Sequence, residues 1–473
     1  MKSTIVLLVL ALCLVQSAVA QTFVSGGIYS DATWSLANSP YVVTSDIVVF
    51  PGKTLTIEPG VEVRVQGNAY PNGPGTRIEI RGRLVAIGTL TAPITFKGDG
   101  IVSTPWAWSG IEIKTYQGGD GDINYVNMSN ARIGFGPETY TPRTDTVAFT
   151  NCSFTNNGVG IAPLTHSTFT NCVFEDNQLG IGPPGTAYHS MGIYDCEFAR
   201  NNLAVGFVYD TLKVDNCNFI DNGTGLTSNQ DGIGFVTNSL FDGNQVGVIG
   251  TGYNYSSCLF QNNQVAVGNL TRGSIRNCTI TNNVTGVQLY EYGTLENNEI
   301  TNNDIGVKIW YEITSFTGNR VCNNTQYNVS NELDRNVSLV GNCFCESDST
   351  VAEALLFDGY DDITRGLFNY ALYDSTCTNV VQLVTKVLIP TGLPAQEKLV
   401  VEVFPNPAAE VLHVRLPFSS DLVEARILNF QGVEMLKSSL YSETTFDVAQ
   451  LPRGIYFLEV GGANRSVRTW IKE

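Results

Sequence analysis

The chain has 473 residues, with 27 Lys+Arg against 44 Asp+Glu and a formal charge of −17. So acidic a surface repels phosphate backbones, which excludes nucleic acid as a natural partner, and it disfavours polyanionic glycans unless a cation bridges them. After residue 20 no stretch approaches the roughly 18 consecutive apolar residues that cross a bilayer, so no transmembrane segment is expected.

Residues 1–20, MKSTIVLLVLALCLVQSAVA, place one Lys before an apolar run and end on Ala18 and Ala20. This reads as a secretory signal peptide cut before Gln21. Passage through an oxidising compartment permits disulfides among the cysteines that follow. Residues 21–53 are expected to cap what comes next. TLTIEPGVEVRV (54–65), RIEIRGRLVAIG (77–88) and WSGIEIKTY (108–116) alternate apolar and polar residues as strands do.

A repeat then takes over. NCSFTNN at 151 returns as NCVFEDN at 171, NCNFIDN at 216 and NCTITNN at 277. Aligning the rows gives a column of Asn157, Asn177, Asn201, Asn222, Asn244, Asn263, Asn283, Asn303 and Asn324. Three residues before each stands Phe154, Phe174, Phe198, Phe219, Phe241, Phe260, Ile280, Ile300 or Val321. A Gly or Ala followed by Ile, Val or Leu comes after it. A period near 20 admits a leucine-rich repeat or a parallel β-helix. The Leu/Asn signature of the first is missing, and no row has room for a helix. Each row, C-x-F-x-x-N-x-x-G-V, reads as two short strands joined at the Asn, which tolerates a left-handed backbone and is expected to turn the corner. Stacked at roughly 4.8 Å, its amide can bond to the copy in the next coil. The column is a structural ladder and not a row of ligands.

Cys152, Cys172, Cys196, Cys217, Cys258 and Cys278 form a second column, with Ser239 and Asn298 taking the same position in other rows. Parallel Cβ vectors hold such sulfurs a coil apart, so these read as buried free thiols. The segments SPYVVTSDIVVFPGKTLTIEPGVEVRV, GRLVAIGTLTAPITF and WSGIEI resemble the first coils of secreted bacterial right-handed parallel β-helix proteins of the pectin-lyase-like superfamily. LLFDGYDDITRGLFNY (355–370) resembles the closing segment of such helices. The expected fold is therefore all-β: a right-handed parallel β-helix solenoid, coils over 54–335 and a C-terminal cap over 336–377, followed by a small C-terminal β-sandwich.

An open solenoid end invites edge pairing, and a staple in the cap would oppose it. Cys322, Cys343, Cys345 and Cys377 lie off the inner column and are the candidates for one or two disulfides; Cys343 with Cys345 is the least suited pair. No C-x-x-C spacing supports zinc, and no metal is expected there. Residues 378–399 read as a Pro/Gly-bearing linker, and 400–473 as strands between turns. This last stretch resembles the type A sorting domain of the type IX secretion system of Bacteroidetes. The matching residues are Phe404-Pro405-Asn406-Pro407-Ala408, Gly432, Leu451-Pro452-Arg453-Gly454-Ile455-Tyr456 and Lys472. The resemblance implies type IX machinery as a partner, and a product attached to the outer-membrane surface or released.

Function is expected in the variable loops after the Gly-Val strand. They carry Tyr209 and Asp210, Asp231, Tyr253, then Tyr290-Glu291-Tyr292 and Trp310-Tyr311-Glu312. Aromatic faces suit sugar rings, and carboxylates between them take hydroxyl hydrogen bonds. Asp210/Asp231 or Glu291/Glu312 could serve glycoside hydrolysis at a separation of roughly 5–9 Å. Against catalysis, Asn-Thr-Asp, Gly-His-Gly and Arg-Ile-Lys motifs are missing, and the histidines are only His166, His189 and His413. No cofactor is expected, although Asp120/Asp122 and Asp358/Asp361/Asp362 offer the oxygens that Ca²⁺ takes, in runs that also read as turns. Two readings stand: a surface-displayed glycan binder, adhesin or scaffold, and a polysaccharide lyase or glycoside hydrolase with an atypical site.

Overall fold

The computed structural model describes residues 21–67, 75–99, 107–136, 147–162, 166–182, 190–208, 210–228, 232–370, 373, 376–377, 401–416, 423–429, 434–440, 443–460 and 466–472. It comprises two compact units, Met1–Gly392 and Leu393–Glu473.

The first unit is a right-handed parallel β-helix. Each coil has three strands, not the two expected from the repeat. A lead strand such as Ser167–Thr170 precedes the Cys, a middle strand such as Val173–Glu175 carries the Phe, and a trailing strand such as Leu179–Ile181 carries the Gly-Ile pair. Lead strands stack into a 13-stranded parallel sheet that runs from Ala32–Trp34 to Ile313–Thr317. Middle and trailing strands stack on the other two faces, joined into one sheet through the bent strand Tyr41–Val49. Within residues 21–53, expected as a cap, Ala32–Trp34 and Tyr41–Val49 pair in parallel with the coils that follow them.

From Tyr125 and Asn130 onward, two corners of each coil are made by single residues in the left-handed region. The first corner is Asn151, Asn171, Asp195, Asn216, Asn238, Ser257, Asn277, Asn297 or Gly318; the second, five residues later, is Asn156, Asp176, Arg200, Asp221, Gly243, Asn262, Asn282, Asn302 or Asn323. The expectation that the ladder asparagines turn the corner is thus corrected by one position. The residue before each of them takes the positive φ, which frees the ladder side chain to point inward. NCSFTNN therefore contains two corner asparagines, two inward anchors after the corners, and one inward ring between them.

The inward amides form a continuous relay. Asn177 Nδ2 donates to Asn201 Oδ1 at 3.0 Å and to Phe154 O at 2.9 Å, while Asn177 Oδ1 accepts from the backbone N–H and the Nδ2 of Asn157 at 2.9 and 3.0 Å. The pattern repeats to Asn324, whose Nδ2 ends the run on Asn328 Oδ1 at 2.8 Å. Buried amides persist when their donors and acceptors are used, as they are along the relay; at its end the buried Asn328 Nδ2 has no partner among the described residues. At the first corner a γ-heteroatom does a lesser version of the same work. Cys172 and Cys196 N–H donate to Cys196 and Cys217 Sγ at 3.4 and 3.5 Å, and Cys217 N–H to Ser239 Oγ at 3.2 Å. From Asn298 the column becomes a second amide ladder, Asn298 to Asn319 to Asn342, both at 2.9 Å. Cys, Ser and Asn share the position because each supplies an acceptor.

Between the corners, Phe154, Phe174, Phe198, Phe219, Phe241 and Phe260 stack face to face, with centroids 4.6–5.1 Å apart. We expect Phe219→Ala to cost about 3–5 kcal/mol, because the rigid coil spacing keeps the flanking rings from closing the void. Phe219→Leu should lose markedly less. Urea midpoints of the two variants measure the difference, and equal midpoints would mean that the stack is not tight.

The C-terminal cap holds a short helix, Ser349–Glu353, and the strand pair Val337–Ser338 and Phe368–Asn369. Two disulfides staple it, Cys322–Cys345 and Cys343–Cys377.

The second unit has a three-stranded antiparallel sheet (402–404, 411–415, 443–447) and a four-stranded one (434–440, 423–428, 454–460, 466–472). Leu412, Val414, Ile427, Leu458 and Trp470 fill the space between them as a small sandwich core. The Phe-Pro-Asn-Pro-Ala segment ties the last strand down: Asn406 Oδ1 accepts the Ile471 N–H at 2.9 Å, and Ala408 N–H donates to Ile471 O. Tyr456 Oη donates to Pro452 O at 2.9 Å, and Lys472 is buried. Gly432 lies outside the described residues.

Candidate functional site

Each coil turns a third corner between its trailing strand and the next lead strand. Among the described residues this corner has no fixed residue type, and it carries Tyr290-Glu291-Tyr292 and Trp310-Tyr311-Glu312. Backbone bonds align it from coil to coil: Tyr290 N–H donates to Leu270 O, and Trp310 N–H to Leu289 O, both at 2.9 Å. Arg272 N–H donates to Glu291 O and Tyr292 N–H to Glu312 O, with Arg272 and Tyr292 both left-handed. Tyr290 and Trp310 are accordingly one coil apart, their ring centroids 6.3 Å from each other and their planes at 24°.

The two glutamates are not bare carboxylates. Glu291 pairs with Arg272 at 3.4 Å, and Glu312 pairs with Arg335. The Arg335 guanidinium also sits 6.0 Å above the Tyr311 ring. Tyr292, Trp310 and Tyr311 are each at least 40% exposed, although Arg335 lies over Tyr311 and Tyr290 stacks on Trp310.

A cleft of about 530 Å³ opens beside these rings. Tyr292, Tyr311 and Glu312 line it from the corner, the last lead strand (Ile313–Thr317) forms one side, and the cap segment from Leu333 to Val340 forms the other. Phe316 and Val337 give it a buried apolar lining, and Arg335 a charge. It exists because the cap chain does not add a further strand to the lead sheet. Val337–Ser338 pairs with Phe368–Asn369 instead. Arg335 and the cap wall escaped the sequence reading because they stand outside the repeat; Arg272, one coil before Tyr292, could have been found by column.

Other candidates fall elsewhere. Tyr253 is not in a loop: Gly252 turns the corner at φ 79, and Tyr253 enters the lead strand facing inward, 1% exposed. Its ring fills the space over Gly234, where a Cβ would come within 2.3 Å of it. Burial raises the pKa of its hydroxyl, and the same holds for Tyr255. The misplacement follows from counting two strands per coil, which leaves the third strand's residues to be read as loop. Asp210 is half-buried and braces neighbouring coils, its Oδ2 accepting from Ser190 Oγ at 2.9 Å. Tyr209, Asp231 and His189 lie outside the described residues. His166 is exposed beside the lead strand Ser167–Thr170, and His413 stacks on Phe404 in the second unit.

The carboxylates considered for Ca²⁺ have other work. The Arg83 guanidinium spans Asp120 and Asp122 at 2.9 and 2.6 Å. Asp358 accepts the N–H groups of Tyr360 and Phe368 at 2.9 and 2.6 Å, as a turn residue does. Asp362 accepts the Thr364 N–H and hydroxyl, which lowers its pKa.

Comparison with known families covers the middle coils of the solenoid and the second unit. Residues 109–265 match the family described as right handed beta helix region, and residues 402–473 match the secretion system C-terminal sorting domain. The chain is a right-handed β-helix protein with a type IX sorting domain. The sorting domain points to the type IX secretion machinery and to secretion or surface attachment. Among the described residues no helix is long and apolar enough to cross a membrane. The β-helix protein is 39% identical over 72 residues to "Protein bark beetle" of Drosophila melanogaster, covering 15% of this chain and 2% of that one. It is 42% identical over 71 residues to "Beta-agarase D" of Zobellia galactanivorans, covering 15% of this chain and 13% of that enzyme. The chain thus spans only a small part of the length of either relative.

Proposed function

We propose that this exported β-helix protein binds an extracellular glycan along its third corner, as an adhesin or surface scaffold, with the terminal cleft holding part of the sugar chain. One observation carries the reading: the exposed rings of Tyr292 and Tyr311 line a cleft of about 530 Å³ that also presents the Glu312–Arg335 pair. Sugar rings offer C–H faces to aromatic rings, and their hydroxyls bond to carboxylate and guanidinium groups at the rim. The Tyr290–Trp310 stack extends the same surface. A hydrolase or lyase reading built on Glu291 or Glu312 needs one of them to pass a proton, whereas each is engaged by an arginine. The likeness to the agarase covers 13% of that enzyme and supplies no site.

A glycan array probed with the full chain tests the proposal. Tyr292→Ala with Tyr311→Ala should weaken retention of the bound glycan at least about tenfold, a loss of about 1.4 kcal/mol, with the melting midpoint unchanged. Undiminished retention, or no glycan retained at all, would defeat the reading. Release of reducing ends by the wild-type chain that vanishes in Glu312→Gln would replace binding with hydrolysis.

A further inference from the structure

Cys322 ends the middle strand Arg320–Cys322, Cys343 and Cys345 lie in the cap, and Cys377 arrives from a distant stretch of chain. Their four Sγ atoms all fall within 4.8 Å of one another. Two disulfides need contact only within each pair, yet Cys345 Sγ lies 3.4 Å from Cys377 Sγ, across the two bonds. A tetrahedral thiolate zinc centre has Zn–S distances of about 2.3 Å and therefore sulfurs roughly 3.8 Å apart. The linear spacing hid this arrangement, because no two of the four form a C-x-x-C pair.

We propose that the four cap cysteines are a redox-gated site for one thiophilic divalent cation of the zinc class. In the oxidised chain they form the two disulfides. A dithiol reductant opens both: each disulfide takes up two electrons and two protons, and two equivalents of reductant leave as cyclic disulfide. The cation then binds the four sulfurs as thiolates and displaces up to four protons.

The surroundings support that state. Cys322 and Cys343 are buried, while Cys345 and Cys377 are half-buried and give the ion a way in. The Cys345 N–H donates to Cys343 Sγ at 3.3 Å, a contact that stabilises a thiolate ligand. Backbone bonds set the cysteines against the last coil: Val321 N–H donates to Cys343 O and Cys343 N–H to Asn319 O, both at 2.8 Å, and a bound ion would hold this frame once the disulfides are open. The six inner-column cysteines offer no rival site, since they rise one per coil in a single file and cannot surround an ion. Either state ties down residues 333–345, and with them the cap wall of the cleft.

Cobalt(II) is the probe. The full chain, reduced with dithiothreitol and desalted without oxygen, should bind one equivalent of Co²⁺ with the intense visible absorption of tetrahedral thiolate cobalt, displaced by Zn²⁺. The oxidised chain should show none. Cys345→Ser with Cys377→Ser should abolish the absorption, and Cys172→Ser should keep it. Because the double variant could lose its cap, Cys377→Ser alone is the second arm, with affinity expected to fall at least about tenfold. No absorption in the reduced chain, absorption surviving in the double variant, or unchanged affinity in Cys377→Ser would each overturn the proposal. None of these results depends on whether a glycan binds.

Discussion

Asn263→Ala should destabilise the solenoid by about 2–6 kcal/mol, the cost of leaving two buried donors without an acceptor. The donors are the Asn244 backbone N–H and Nδ2, both of which give to Asn263 Oδ1 at 2.9 Å. The same change strips Phe241 O and Gln261 O of the Nδ2 donor that reaches each at 2.9 Å. One residue earlier, Asn262 is exposed, turns the corner with a φ of 56, and gives its Nδ2 only to the surface carboxylate of Asp242 at 2.7 Å. Asn262→Ala should therefore cost about 1–2 kcal/mol, mostly the penalty of a Cβ in the left-handed region, and Asn262→Gly at most about 1 kcal/mol, for the exposed bond to Asp242. Hydrogen exchange and urea midpoints on the three variants give the ranking. Comparable losses at 262 and 263 would show that the corner, and not the amide relay, holds the coils.

The second large effect is expected in the cap. Removing both staples with Cys322→Ser and Cys343→Ser opens loops with sequence separations of 23 and 34. Loops of that size contribute about 3–4 kcal/mol each through the unfolded state. Amide protection should collapse over 337–345. Coils near Asn177 should keep theirs, because each coil is coupled to its neighbours alone. In the unmodified chain, thiol counting under denaturing, non-reducing conditions should find Cys152, Cys172, Cys196, Cys217, Cys258 and Cys278 free and the four cap cysteines blocked. Reactive cap cysteines in that assay would remove the staples from the structure.

The parts of the fold that were legible in the sequence are those where one residue type alone meets the demand. An amide that must both donate and accept along a relay can only be Asn at that depth, so Asn157 to Asn324 stand out as a column. Stacked rings need Phe154 and its successors. The lead strand was not legible because its inward column is merely apolar. Phe149, Phe169, Ile193, Val214, Val236, Tyr255, Ile275, Leu295 and Phe316 occupy equivalent positions with no shared letter. That omission sent Tyr253 to a loop it does not occupy. The corner was assigned to the wrong asparagine for a related reason: two adjacent asparagines, Asn156 and Asn157, invite one explanation where two are needed. At the candidate site the corner side chains Tyr292, Tyr311 and Glu312 could be named from the repeat. Arg335 and Val340 could not, because the cap follows no period and only the three-dimensional path brings it alongside.

The left-handed corners also decide where the chain can change length. The first and second corners are five residues apart in every coil from Asn151 to Asn323. Consecutive ladder amides are nonetheless separated by anything from 19 to 24 residues. All of the slack is therefore taken up after the second corner, where neither the relay nor the ring stack feels it. Foreign sequence grafted at the third corner should be carried as cargo, displayed at coil intervals on a rod whose interior does not register the insertion.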